Sequence, residues 1–483
     1  MKEVRRKNGK RKGAEALYRR DIVTSRGWPG SATDSKLTYL REWKSLLAIA
    51  IPVVLSELGW MFMTIVDMVM VGRLGPASIG AVGVGNAVYY APALFGIGIL
   101  LGLDTLVSQA YGRGEFDECH RSLAQAVYLA IVYTPLCMLM VWAATYLFHS
   151  WGITPEVARL GGRYLRVLNF GTLPLLLYAA IRRYLQGVGR ARMVTFALIS
   201  ANLLNWAGNW VLIYGRLGAP AMGVRGSALS TLFSRIYLAG LLLLTAWHHE
   251  AQRGHSLFGG WAAPDVTRLS HLLRLGTPAA SQIVLEVGAF GAATVLAGRL
   301  APEALAAHQI ALNWASITYM VPLGVSAAAA VAVGHAVGAA DGAKAQRAGW
   351  LGILTATSFM GIAAILFLVF PRELVKVYTA NAGVLRLCVP LFGLAGAFQI
   401  FDGVQGVATG ALRGLGETRM PMYANLIGYW LLGLPLGYLL CFGAGWGIYG
   451  LWIGLTLALI LISIAILLQW SRLSRRLATT GIL

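Results

Sequence analysis

The sequence predicts an all-α integral membrane protein of about twelve transmembrane helices, built as one helical framework used twice. Three observations carry that prediction. Composition is the first: 57% hydrophobic and 12% charged residues, with a mean hydropathy of +0.65, leave too little polar side chain to cover a water-soluble globule. The second is the apolar runs of about 20 to 30 residues, long enough for helices rising about 1.5 Å per residue to cross roughly 30 Å of hydrocarbon. The alternation over about ten residues that marks membrane β-barrel strands does not occur. The third is an internal repeat: Pro52, Gly72, Arg73, Leu74, Pro76 and Gly112 recur as Pro278, Gly298, Arg299, Leu300, Pro302 and Gly338, always 226 positions on (278 less 52). Two pseudo-equivalent bundles can open alternately to either side, so this repeat points to a transporter rocking around a central site.

Hydropathy places the spans near residues 46, 78, 121, 160, 193, 222, 270, 303, 346, 384, 416 and 446. The first carries Pro52, Glu57 and Asp67, and the second opens on GAVGVGNA, whose Gly80, Gly83 and Gly85 suit close helix packing rather than a dinucleotide fold, since no βαβ unit surrounds them. The fourth and tenth end in GVGRAR (187–192) and GLGETR (414–419), glycine helix stops followed by snorkelling arginines. Asn205 and Asn209 share one face of the fifth, Arg235 lies mid-way along the sixth, and Glu286 and Asp402 fall inside the seventh and tenth. The expected organisation is a basic tail (1–45), a first lobe (46–250), an inter-lobe loop (251–269), a second lobe (270–471) and a short tail (472–483).

An even number of spans puts both termini on one side. That side receives Lys2, Arg5, Arg6, Lys7, Lys10, Arg11, Lys12, Arg19 and Arg20 of the tail, and also Arg182, Arg183, Arg190, Arg192, Arg268, Arg274, Lys344, Arg347, Arg413, Arg419, Arg472, Arg475 and Arg476. Fewer basic residues fall opposite, so the positive-inside rule makes both termini cytoplasmic. The net charge of +20 is thereby explained by membrane orientation, without nucleic acid as a partner. The tail suits either a solvated basic segment or a contact with anionic lipid. No apolar region and cleavage site follow Arg5 and Arg6, so no removable signal peptide is expected. Cys119, Cys137, Cys388 and Cys441 lack metal-ligand spacing and read as packing residues, and His248 and His249 read as interfacial. No GxxxxGK, HExxH or Ser/His constellation is present, which sets aside an ATP-driven motor and an intramembrane enzyme.

Intramembrane ionisable residues cost roughly 2.5 to 3.5 kcal/mol each near the bilayer centre, so they are the first suspects for function. Glu286, roughly 24 Å from the cytoplasmic start of its span, and Asp402, roughly 15 Å from the cytoplasmic end of its own, reach comparable depth. Sharing one cavity, they would hold a proton or a small cation; separate packing roles are the alternative. Asp67 opposite Asn205 and Asn209 could do the same, while interhelical hydrogen bonding accounts for the asparagines equally well. Asp104 is placed where water could reach it. Arg235 requires a carboxylate or carbonyl partner.

Pro52 with Asp67 and VGRLG, PAASQIVLE ending at Glu286, AAHQIALN (306–313) and FQIFDGVQGVATGALRGLGETR (398–419) together resemble the multidrug and toxic compound extrusion (MATE) family, in its NorM-like branch, over about residues 40 to 470. The resemblance implies two six-helix lobes around a central cavity. It also implies export of small, amphipathic, often cationic organic compounds in exchange for Na⁺ or H⁺, with no cofactor, from a bacterial cytoplasmic membrane. Glu286 and Asp402 would form the cation site of the second lobe and Asp67, Asn205 and Asn209 the polar site of the first, with Gln309, Asn313, Glu57 and Phe398 as weaker substrate-cavity candidates. Phe398 stands where relatives often carry tyrosine, and Glu57 is an acid outside the family pattern. Phe290, Trp314 and Tyr319 could offer apolar and cation-π surface to a substrate. One chain completes the cavity, so a functional monomer is expected. A lipid-linked oligosaccharide flippase is the alternative; it would need a strongly cationic cavity, whereas only Arg235 opposes the in-span acids.

Overall fold

In the computed structural model, residues 32–148, 150–254, 256–257 and 263–480 are described; the basic residues from Lys2 to Arg20 lie outside them. Twelve helical segments among the described residues are long and apolar enough to span a membrane: α1 Leu37–Gly72, α2 Pro76–Arg113, α3 Phe116–Tyr146, α4 Pro155–Gly187, α5 Ala191–Tyr214, α6 Val224–Gln252, α7 Val266–Ala297, α8 Pro302–Gly338, α9 Gly342–Val369, α10 Ala382–Leu415, α11 Arg419–Gly443 and α12 Gly447–Thr479. Eleven start within five residues of the hydropathy reading. The first departs from it because its helix begins at Ala32, ahead of the apolar run. In this leading stretch Glu42 takes a bidentate ion pair from Arg347 of α9, at 2.8 and 2.9 Å.

The helices form two lobes, α1–α6 and α7–α12, each around its own apolar cluster. Tyr89, Leu123, Tyr164, Leu185 and Leu198 belong to the first cluster, and Phe392, Leu412, Tyr429, Trp452 and Trp470 to the second. Leu46 and Ala50 of α1 join the second cluster, so the lower half of α1 seats on the opposite lobe. Prolines inside α1 and α7 (Pro52 and Pro278) occupy repeat-equivalent positions. The Pro52 carbonyl accepts from Thr195 Oγ1 of α5 at 2.6 Å and from Ser56 Oγ at 2.9 Å, which ties α1 to α5 at the proline.

Repeat-equivalent residues also meet across the lobe interface. A Cβ on Gly98 would lie 2.5 Å from the Ala280 Cα, and one on Gly324, 226 positions after Gly98, would lie 2.7 Å from the Cα of Val54, 226 positions before Ala280. Gly112 and Gly338 pack in the same reciprocal way, a Cβ at each overlapping the His335 carbonyl and the Gln109 carbonyl respectively. Ser108 and Gly334, themselves related by the same shift, touch directly, so the pseudo-twofold axis passes between them. Small residues are required here because the backbones approach within the radius of a methyl group.

Polar bonds between the lobes concentrate at the face where the chain enters α1 and leaves α12. Gln109 Nε2 of α2 donates to the Gly414 carbonyl of α10 at 2.9 Å. His335 Nε2 of α8 donates to the Gly187 carbonyl of α4 at 2.6 Å. Arg268 of α7 pairs with Glu118 of α3 at 3.1 Å. This termini face is the closed side of the molecule. Gly189 and Gly416 terminate α4 and α10 with φ of +76° and +94°, values that favour glycine, and Arg190, Arg192 and Arg419 beyond them are exposed. All four cysteines are buried and free.

Candidate functional site

In the second lobe, α7 and α10 bring Glu286 and Asp402 within electrostatic range of each other. Gln405, three residues after Asp402 and therefore on nearly the same helix face, donates to Glu286 Oε2 at 3.3 Å, and Gln282 faces the same carboxylate one turn earlier. Asp402 is 6% exposed and finds no hydrogen-bond donor among the described residues. Neither acid forms an ion pair there. The two acids are thus brought into electrostatic range of each other, with no counter-charge paired to either among the described residues.

A run of aromatic rings extends from α11 through the second lobe. Tyr429 of α11 packs on Phe290 at 5.7 Å, Phe290 meets Phe398 at 5.9 Å, and Phe398 meets Trp452 at 5.8 Å between ring centroids. Trp452 Nε1 donates to His308 Nδ1 at 3.1 Å, whose Nε2 meets Thr294 Oγ1 at 3.0 Å. Phe398 contributes no hydroxyl, but Tyr319 of α8 and Tyr429 both lie within electrostatic range of the two acids, and the Tyr429 hydroxyl is buried without a hydrogen-bond partner among the described residues. Tyr429 sits where α11 widens into π-helical turns over Leu426–Gly433, a local rewinding that is often found at functional positions. Sequence reasoning missed Tyr429, which carries no pattern signal, and Gln405, which its spacing from Asp402 would have identified.

In the first lobe, Asp67 is held from two helices. Asn209 Nδ2 donates to Asp67 Oδ1 at 2.5 Å and Thr231 Oγ1 to Oδ2 at 3.1 Å. Asn209 also donates to Asn205 Oδ1 at 3.2 Å, so the i, i+4 asparagines act together as read from their spacing. One turn beyond Thr231, Arg235 lies within electrostatic range of Asp67. Its partners correct the sequence expectation of a carboxylate or carbonyl. Nη1 donates to the Tyr89 hydroxyl at 2.7 Å, Nη2 to the Tyr90 hydroxyl at 3.5 Å, and the guanidinium stands 4.7 Å from the Tyr89 ring centroid. Phenols on α2 supply neutral acceptors and a ring face in place of a charge.

The other expected residues are placed apart from these sites. Glu57 is ion-paired with Arg182 inside the first lobe. Asp104 is not open to water as its position near the helix end suggested: it is 1% exposed, 3.1 Å from Arg413 Nε and 3.4 Å from Arg183 Nη1. Arg182, Arg183 and Arg413 are accordingly interior ion-pair partners rather than loop charges, so Arg235 is not the only cation opposing the in-span acids; those three are each matched to an acid. Gln309 and Asn313 lie on an exposed face of α8. Trp314 donates to the Leu374 carbonyl at 3.1 Å. His248 meets Gln252 at 2.8 Å within the last turns of α6. No group of three potential metal-ligating side chains occurs among the described residues.

The sequence profile of the family described as MatE matches residues 52–211 and 278–439, one match in each lobe. The chain is 37% identical over 446 residues to a protein of Mesorhizobium japonicum (strain LMG 29417 / CECT 9101 / MAFF 303099) named "Probable multidrug resistance protein NorM", covering 90% of this chain and 95% of that one. A protein of the same name from Geobacillus kaustophilus (strain HTA426) is 32% identical over 416 residues, with 86% and 91% covered. Among solved structures, that of the eukaryotic MATE transporter AtDTX14 superposes with a TM-score of 0.79 at 21% identity, covering 92% of this chain and 100% of that one. An outward-facing multidrug resistance MATE transporter superposes with a TM-score of 0.81 at 20% identity, covering 91% and 97%. This twelve-helix, multi-pass membrane protein belongs to the multidrug and toxic compound extrusion (MATE) family of transporters, in its NorM-like branch.

Proposed function

We propose that this transporter is a cation-coupled antiporter that exports amphipathic, often cationic organic compounds in exchange for Na⁺ or H⁺. The observation that supports the reading is the Glu286–Asp402 pair, two carboxylates in electrostatic range with only the neutral amides of Gln405 and Gln282 beside Glu286 and no basic partner among the described residues. A small cation or a proton entering between them supplies the missing charge. Because a ligand shifts a conformational equilibrium only by its differential affinity for the two states, the ion favours whichever arrangement holds both acids close. An inward charge crossing 100 mV contributes about 2.3 kcal/mol per cycle. Asp67, Asn205 and Asn209 form the complementary polar site of the first lobe, where a cationic substrate would meet a carboxylate flanked by the Tyr89–Arg235 cluster. Ion entry then displaces the substrate toward the open side. With both termini cytoplasmic in a bacterial cytoplasmic membrane, the closed termini face makes this the outward-facing state, and one chain suffices for the cycle.

Efflux of a fluorescent organic cation from proteoliposomes under an imposed Na⁺ or H⁺ gradient tests the proposal. One of the two gradients drives efflux by the native protein. The absence of any gradient-driven movement by folded protein would overturn antiport.

A further inference from the structure

The inter-lobe contacts on the termini face fall into two kinds. The hydrogen bonds from Gln109 to the Gly414 carbonyl and from His335 to the Gly187 carbonyl are copies of one another under the repeat, since His335 follows Gln109 by 226 positions and Gly414 follows Gly187 by 227. Both are neutral, and water can replace them when the lobes part. The ion pair between Asp104 and Arg413 has no such copy: the position equivalent to Asp104 is Ala330, and that equivalent to Arg413 is Gln186. Thr105, next to Asp104, donates to the Arg413 carbonyl, so the same residue is gripped by backbone and side chain.

Separating a buried ion pair leaves each charge in need of another partner. Both partners have one within their own lobe. Asp104 Oδ2 is shared, facing Arg413 of α10 across the interface at 3.1 Å and Arg183 of α4 in its own lobe at 3.4 Å. The neighbouring Arg182 is taken by Glu57, which leaves Arg183 for Asp104. On the other side, Glu417 follows Arg413 beyond the Gly416 helix stop and lines the same small recess beneath α7, its Oε1 accepting from the Arg419 and Met420 N–H groups at 3.0 Å.

We propose that Asp104 is an exchangeable latch on the termini face: Arg413 holds it when that face is closed, and it passes to Arg183, with Arg413 passing to Glu417, when the face opens. The inference rests on the alternating access of the family, and it assigns the two arginines around one carboxylate opposite effects. Loss of Arg413 removes the closed-state partner and favours opening. Loss of Arg183, or of Glu417, removes an open-state partner and favours closure.

Double electron–electron resonance between spin labels at Arg192→Cys and Arg419→Cys, exposed repeat-equivalent positions 227 apart at the starts of α5 and α11, reads this directly in lipid nanodiscs. It requires neither a transported substrate nor a known coupling ion, so its failure is distinguishable from failure of the antiport reading. With pH set so that the native protein populates both short and long distances, Arg413→Gln raises the long-to-short ratio at least threefold, whereas Arg183→Gln and Glu417→Gln each lower it at least threefold. Arg413→Lys and Arg183→Lys, which keep the charge but not the guanidinium fork, shift it with the same signs to a smaller extent and serve where a glutamine variant does not fold. Shifts of the same sign for the two arginines, or no shift for either, would overturn the latch.

Discussion

The two lobes share a framework yet treat their buried acids differently. In the first, Asp67 receives the Asn209 amide at 2.5 Å and the Thr231 hydroxyl at 3.1 Å, with the Arg235 guanidinium in electrostatic range. In the second, Glu286 receives the Gln405 amide at 3.3 Å and faces that of Gln282, and Asp402 receives no donor among the described residues. A buried carboxylate is tolerated when charge or hydrogen bonds compensate it. The first lobe supplies an internal cation as well as hydrogen bonds from its own side chains; the second supplies amides alone. Under the proposed antiport an ion supplies the missing charge there, and the division follows from which residues the repeats do not share.

Removing the uncompensated charge breaks the comparison most severely. Glu286→Gln or Asp402→Asn is expected to lower gradient-driven efflux by about 100-fold, the equivalent of about 2.7 kcal/mol of lost ion interaction, when initial rates are measured in proteoliposomes at matched protein content. Arg235→Gln should make the first lobe resemble the second by removing the internal cation near Asp67, so that the dependence of efflux on coupling-ion concentration steepens from one site toward two; Hill analysis of initial rates checks this. Asp67→Asn should leave the gradient response in place while removing the carboxylate near Arg235 and mismatching the donors Asn209 and Thr231, a loss of about 1 to 3 kcal/mol visible as an earlier thermal transition in detergent. The smallest change is Phe398→Tyr. It adds a hydroxyl to the aromatic run that includes Tyr429, and ion affinity measured by titration of substrate binding should alter by less than about tenfold, as one extra neutral hydrogen bond allows.

Much of this architecture was legible because hydropathy and repetition act locally or at a fixed shift. Twelve apolar runs specify twelve helices, and the recurrence of Gly112 as Gly338 anticipates two glycines that pack reciprocally against the opposite lobe. The pairing of Asn205 with Asn209 follows from helical periodicity alone. Partners that lie far apart in sequence were not legible. Nothing in the spacing of Arg235 points to Tyr89 and Tyr90 on α2, and Asp104 gives no sign of the arginines that reach it from α4 and α10. Arg182, Arg183 and Arg413 sit near helix ends, where composition reads them as topology signals; packing turned them inward. Tyr429 reaches the acids through a stretch of α11 wound more widely than the 3.6-residue period that sequence patterns assume.

The division between the lobes is tested most directly by measuring gradient-driven efflux and ion-independent substrate exchange on the same proteoliposomes, for the Glu286→Gln/Asp402→Asn double variant and for Asp67→Asn. The double variant should keep substrate exchange and lose its response to the gradient, while Asp67→Asn should retain that response. A double variant that still responds to the gradient, with Asp67→Asn unresponsive, would place the coupling ion in the first lobe and contradict the account.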